Sequence, residues 1–569
     1  MLALTGSAAA ATSPTGPVYD GKGRLVQTPF AQPPAKPRLT EAKVTALFLR
    51  VPKVAHWLRR YPRRGRVTAA TFDPKTGSWT VGVWSGKAGE IATGKVDDQG
   101  ASVTEAWTGP QVAWKMARGV PGAFGSKWIN SLPVWLGFCA VFLVGLLDWR
   151  RLLSLRTLDL LVLLSFSVSL WYFNRGDIFT SVPLVYPPLL YLICRAVSIG
   201  LRGRATTTRA TLPVWLLFVA AFFLIGFRIG LNAEASNVID VGYAGVIGAE
   251  RIVHGQAPYG HMPAEGALRA CGPADADGEI RDRIQANGRC ETANERGDTY
   301  GPVSYLAYVP GYLIRGWSGK WDDLPAAHIT SVLFDLLCLA GMFFVGLRYG
   351  GLELGAVLAL AWVAYPFTQY ASNSNTNDMI PPAFLIWGFW LAGRPWARGA
   401  FVALSSWTKF ASLIVAPLWL TYPERKARSS WAYVGGFAIA TAAAFSVLLL
   451  EPDPLHAARV FWDRTLGWQI GRESPFSVWD WRQYHAGLPD LHLLQLALEV
   501  VLIGAAVAFA LFPRRKSPLQ LAALTAALIG GFELVLTHWF YLYLPWVFPF
   551  LAFAFLAPAS AEHEPVRPS

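Results

Sequence analysis

Charge is scarce in this chain of 569 residues: Asp, Glu, Lys and Arg together make up 15% of it. Lysine is scarcer still, 13 of the 50 basic residues, a composition typical of a GC-rich bacterial genome. Cysteine is rare at five, without Cys-x-x-Cys or a His-rich cluster, which argues against a structural zinc site. There is no Walker loop, Gly-rich dinucleotide fingerprint, Gly-x-Ser-x-Gly elbow or His-Glu-x-x-His. ATP-driven transport and soluble-cofactor chemistry lose support accordingly.

What fills the space is apolar: 53% hydrophobic residues, 14% aromatic, mean hydropathy +0.33. These residues run in blocks of roughly 17–22 with almost no charge, the pattern of bilayer-spanning helices. The formal charge of +13 does not point to nucleic acid. Its basic residues sit at block ends, at Arg150/Arg151, Arg202/Arg204, Arg394/Arg398, Arg425/Lys426/Arg428 and Arg514/Arg515/Lys516, as the positive-inside rule requires. The chain therefore reads as an all-α polytopic membrane protein of about 11–13 transmembrane helices, carrying a small α+β extracytoplasmic module at its N-terminus.

Residues 1–39, rich in Ala, Pro, Gly and Thr, are expected to be a disordered tail or signal remnant. Residues 40–112 form the soluble module. Helical spacing runs from Leu39 to Arg60 with Thr40 as N-cap, followed by strand-like runs at Arg66–Phe72, Ser78–Trp84, Glu90–Lys95 and Ala101–Trp107. Three spans are expected in 130–210 and the remainder in 211–558, with long polar loops at 232–326 and 451–489 and a tail at 559–569. With the basic ends placed in the cytoplasm, the module, both loops, the Asn373–Asp378 turn and His538 fall on the opposite face. That scheme needs 302–316 to be a short re-entrant or surface helix and 399–421 to dip outward and return.

Several residues on that face could carry chemistry. Asp240 follows directly on a membrane helix, and a carboxylate against apolar neighbours tends to a raised pKa suited to a general base; a plain helix-end charge is the bland alternative. The cluster Asn373-Ser374-Asn375-Thr376-Asn377-Asp378 suits a polyhydroxylated ligand or a phosphate, though Asn and Asp are also ordinary turn and cap residues. Lys409 lies inside an apolar stretch, where a cation is expensive and usually functional or paired. Arg472, with Trp468, Gln469 and Ser474, makes a sensible lining for phosphate and sugar. His538 stands at a helix end, a position an aromatic-belt residue could also fill. Cys271 and Cys290 share the first loop and could pair if it faces an oxidising compartment.

Four short segments in this order resemble the GT-C class of membrane glycosyltransferases, and within it the bacterial polyprenyl-phosphate-mannose-type family that includes α-1,2-mannosyltransferases. They are Asp240 with Tyr243 through Gly255-x-x-Pro258-Tyr259; Thr299-Tyr300-Gly301-Pro302-Val303-Ser304-Tyr305; the Asn375–Asp378 turn; and Thr408-Lys409-Phe410. The likeness covers about 211–558. It implies an inverting transfer of a sugar from a polyprenyl-phosphate donor to a cell-envelope glycan or lipid acceptor at the outer face of the bacterial plasma membrane. Asp240 would be the base, Lys409 and Arg472 the donor-phosphate cations, and Tyr243, Tyr259, Tyr300, Asn375, Asp378, Gln469 and His538 the lining. The Asp240 loop shows no adjacent acidic pair, which leaves dependence on a divalent metal open, and Tyr300-Gly301-Pro302 replaces the commoner Tyr-Pro-Pro. The soluble module resembles PepSY-type units, which more often bind or regulate than catalyse. The competing readings are a transporter or flippase of lipid-linked sugars, which should show paired broken helices, and a membrane sensor.

Overall fold

A computed structural model describes residues 18–19, 22, 25–27, 36–74, 76–86, 89–109, 128–129, 131–203, 212–266, 268–273, 280–472, 474–484 and 487–558. The chain divides into two compact units, Met1–Thr108 and Gly109–Ser569.

In the first unit, Val18–Tyr19 (β1) pairs antiparallel with Leu25–Gln27 (β2) inside the segment expected to be disordered; most of that segment lies outside the described residues. The expected single helix from Leu39 to Arg60 is two, Glu41–Arg50 (α1) and Pro52–Leu58 (α2). Pro52 is the reason: it forces Val51 out of the helical region (φ −56°, ψ 125°) and starts a new helix at its first position. Thr40 caps α1 by accepting from the Lys43 N–H. The strands Arg66–Asp73 (β3), Ser78–Ser85 (β4), Glu90–Asp97 (β5) and Ser102–Thr108 (β6) form an antiparallel meander in chain order. Val44 and Phe48 of α1 and Val54, Trp57 and Leu58 of α2 are buried, as are Val81, Val83, Ile91 and Val96 of the sheet. Asp98 accepts the N–H groups of Arg38 and Leu39 and the indole of Trp79, joining the start of the unit to its sheet.

The second unit is a helical bundle. Among the described residues seven helices are long and apolar enough to cross a membrane. They are Leu155–Phe173, Ile178–Arg202, Val214–Ala235, Pro325–Ala364, Ala427–Leu450, His492–Leu511 and Pro518–Val535; Leu132–Leu146, Phe410–Leu420 and Tyr541–Leu556 are shorter apolar helices. The number expected from apolar blocks was larger because the chain breaks its helices. The two spans expected at 327–347 and 353–369 are two helices within Pro325–Ala364, parted at Gly351, whose φ of 72° is left-handed. Residues 302–316 are two short helices, Pro302–Leu306 and Val309–Arg315. The stretch 399–421 is Pro395–Ser406 and Phe410–Leu420 with a break at Trp407–Lys409.

The expected N-terminal spans pack into the bundle. The Tyr541 hydroxyl bonds Ser169 and Ser181, and the Tyr365 hydroxyl donates to the Leu163 carbonyl. The basic block ends gather at one face. Glu424 forms an antiparallel backbone bridge with Arg515, Arg398 donates to the Trp419 carbonyl, Gln520 donates to the Gly200 carbonyl, and Arg156 lies near Glu353. The polar loops emerge at the other ends of these helices.

Candidate active site

The site forms where six distant segments meet at that loop end. Asp240 opens the helix Asp240–Val253, just beyond the span Val214–Ala235. This helix lies hard on the polar turn: a Cβ on Gly242 would stand 2.0 Å from the Asn375 carbonyl oxygen, so no side chain fits there. The turn is held from beneath. Buried Arg228 pairs with Asp335 at 2.8 Å and donates to the Thr368 carbonyl; Asp335 also accepts from Trp362 and Ser372. Above this, Asn232 donates to the Ser372 carbonyl and to Asn375 Oδ1. Asn375 takes a left-handed φ of 52°, which Asn tolerates better than most residues, and donates to Ser236 Oγ and the Asn237 carbonyl. Its carboxamide is thus spent on holding the turn.

The turn delivers Asp378, which accepts from Thr376 Oγ1 at 2.7 Å and from Lys409 Nζ at 2.6 Å. Lys409 occupies the helix break in extended conformation (φ −138°, ψ 129°). Its ammonium lies 5.4, 5.0 and 5.1 Å from the ring centres of Tyr300, Tyr543 and Trp546. Such an aromatic box together with a carboxylate meets the requirement that a cation at this depth be partnered. Tyr300 reaches the box because the chain after it runs against the break. The Val303 N–H donates to the Trp407 carbonyl, and a Cβ on Gly301 would stand 2.0 Å from that same oxygen. Glycine between Tyr300 and Pro302 therefore has a steric cause.

Arg472 arrives from the second loop, its guanidinium 4.9 Å from the Trp468 ring. Its backbone N–H donates to the Gln469 carbonyl, but among the described residues its guanidinium makes no ion pair or hydrogen bond, so its charge is available. It acts on Asp240, Tyr300, Tyr543 and His538, which places it among them. Asp240 is walled deeply by protein while its side chain opens onto the cleft. Desolvation by that wall lifts its acid constant above the ordinary carboxylate value; Arg472, the Val241 N–H and Lys409 pull the other way, and desolvation wins. Burial, with Arg472 and Lys409 nearby, pushes the His538 imidazole well below its usual value, so it stays neutral, with Nδ1 2.9 Å from Ser474 Oγ.

The structure thus brings together Asp240, Tyr300, Asp378, Lys409, Arg472 and His538. Other expected lining residues have structural partners instead. The Tyr243 hydroxyl donates to the Thr292 carbonyl at 2.6 Å and its ring packs on Trp317 and Trp321. The Tyr259 hydroxyl donates to the Tyr300 carbonyl, positioning Tyr300 from behind. Gln469 is half-buried on the short helix Trp468–Ile470, three residues before Arg472. Cys271 and Cys290 are joined by a disulfide, tying together the strands of the first loop near Asp282–Ile284 and Cys290–Thr292. Among the described residues no three His, Cys, Asp or Glu side chains are placed to hold a metal ion.

Sequence reasoning did not single out Tyr543 and Trp546 as site residues; with Thr376 of the expected polar turn they complete the surroundings of Lys409 and Asp378. It also overlooked the tie between the two long loops, where Asp298 accepts from Arg464 Nε at 2.7 Å and from the Gly260 N–H at 2.9 Å. The Asp298 side chain is fully buried, and Arg464 also donates to the Glu295 carbonyl. Compared with protein-family models, with curated proteins and with solved structures, the chain matches none.

Proposed function

We propose that this protein is a membrane glycosyltransferase of GT-C type that moves a sugar from a polyprenyl-phosphate donor to a glycan or lipid acceptor at the outer face of the bacterial plasma membrane. The observation that carries the reading is the meeting of an exposed carboxylate, Asp240, with a guanidinium, Arg472, that makes no ion pair among the described residues, and a boxed ammonium, Lys409, at one end of an apolar bundle. A lipid-linked donor needs this combination, since its tail remains in the bilayer while its phosphate must meet cations at the boundary.

In the step envisaged, the acceptor hydroxyl gives its proton to the Asp240 carboxylate as its oxygen attacks the anomeric carbon. The bond from that carbon to the phosphate oxygen breaks, and the electron pair leaves with polyprenyl phosphate. A single displacement inverts the anomeric centre. Base catalysis contributes on the order of 10²–10⁴-fold, and cations aimed at the charge developing on the leaving phosphate add to it. Tyr300 and neutral His538 supply ring surface and hydrogen bonding for the sugar. The N-terminal unit, as an appended binding or regulatory module, takes no part in this step.

One observation favours a second reading. The helix breaks at Asn373–Asp378 and at Trp407–Lys409 meet through the Lys409–Asp378 pair, and paired broken helices are a transporter device. Membranes incubated with labelled polyprenyl-phosphate sugars separate the two. Transfer releases free polyprenyl phosphate and forms a new glycoside; transport forms no covalent product. Asp240→Asn is expected to abolish release while leaving expression and detergent-stable folding intact, and full activity in that variant would sink the mechanism.

A further inference from the structure

The connection between the spans Ala427–Leu450 and His492–Leu511 begins and ends at a membrane boundary, because each flanking helix crosses once. Its first element, the helix Pro454–Trp462, starts within four residues of the end of the first span, capped by Asp453, which accepts the N–H groups of Leu455 and His456. Residues four apart share a helix face, and this helix has two contrasting stripes. Ala457, Phe461 and Thr465 are buried, with Phe461 packed edge-on to Tyr259 and Phe445. The opposite stripe carries Leu455, Arg459 and Trp462. Leu455 is 78% and Trp462 54% exposed, and Ile470, on the short helix that follows, is 84% exposed. The flanking spans also expose apolar side chains at their near ends, Leu449 on one side and Leu493 on the other.

We propose that Pro454–Ile470 docks in the headgroup–acyl boundary of the leaflet on the site's side. Leu455, Trp462 and Ile470 enter the acyl region, and Arg459 meets lipid phosphate. The occupant is the bilayer rather than another protein, because both ends of the connection emerge from helices long and apolar enough to span it, and exposed Leu455 follows exposed Leu449 and Leu450 at the end of the first within a few residues. An apolar stripe with an aromatic residue and one cation is also the composition that interfacial helices use, and an indole favours this depth. Arg472 follows Ile470 by two residues, so docking sets its guanidinium at headgroup depth, where a lipid phosphate travels. That last consequence rests on the proposed function; the docking itself does not.

The test is a depth measurement on the full chain in nanodiscs containing phosphatidylglycerol, with Cys139 and Cys194 replaced by serine and the disulfide kept. Spin labels are introduced singly through Leu455→Cys, Trp462→Cys and Ile470→Cys. Phe222→Cys, in mid-span, marks the bilayer core, and Asn287→Cys in the first loop marks the aqueous phase. The three labels are expected to favour oxygen over a water-soluble nickel chelate by a ratio between those of the two markers and several-fold above that of Asn287→Cys. Ratios equal to the aqueous marker at all three would overturn the docking, whether or not the protein transfers sugar. A variant that fails to fold is recognised by loss of its monodisperse elution in detergent before reconstitution, and the remaining positions then decide.

Discussion

Asp240 and Arg472 act on each other with opposite consequences for rate. The wall around Asp240 raises its pKa, while the Arg472 charge restrains that rise. A base must be ionised to accept a proton, so a raised pKa moves the acid limb of activity upward, to a pH above the ordinary aspartate value of about 4. Removing Arg472 removes the largest lowering influence. Arg472→Gln is therefore expected to shift the acid limb of kcat/KM to higher pH, besides weakening the donor. A limb that stays in place or moves down would show that Asp240 is not the titrating base.

At the scale of elements, the buried pair between Val214–Ala235 and Pro325–Ala364 supports the turn that carries Asp378. Arg228 and Asp335 are both almost completely enclosed, so removing one partner strands the other charge. That costs about 3–5 kcal/mol in comparable buried pairs. Arg228→Met should lower the unfolding temperature in detergent, and Arg228→Met with Asp335→Leu should recover most of the loss. No recovery in the double variant would mean that the helices depend on the hydrogen bonds to Thr368 and Ser372 rather than on the balance of charge. The same pair shows what the sequence made legible and what it did not. Lys409 and Asp240 stood out because each interrupts or ends an apolar run. Arg228 and Asp335 interrupt such runs too and were open to the same reasoning, yet theirs is a structural role. Tyr543 and Trp546 could not be singled out, since aromatic residues are abundant and only folding shows which ring meets an ammonium. Tyr243 and Asn375 sit in suggestive motifs, but where their polar atoms point depends on packing with remote helices. Helix existence followed from hydropathy, and so did the break at Lys409, which interrupts its apolar stretch, whereas the break at Tyr365 depends on a backbone conformation that hydropathy does not encode.

At the scale of the whole second unit, the site exists only while its two long loops stay together. Asp298 lies two residues before Tyr300 and Arg464 eight before Arg472, so their ion pair connects the two strands of chain that deliver site residues. Arg464 lies in the π-helical turn Asp463–Gly467, a local irregularity often found at functional places. Arg464→Gln should speed amide exchange in both 294–300 and 464–472 and lower kcat/KM several-fold, with Arg464→Lys restoring part of each. Faster exchange in only one loop would show that the loops are ordered separately.

The aromatic enclosure of Lys409 also bears on how dissolved salt acts on the site. Mobile ions weaken exposed charges over a Debye length of about 8 Å at physiological strength, but reach poorly into a space already filled by protein. With its side chain only 10% exposed, Lys409 keeps its field whatever the ionic strength, while half-open Arg472 does not. Added salt would thus change how strongly an anion is drawn to Arg472, and leave its grip at Lys409 nearly constant.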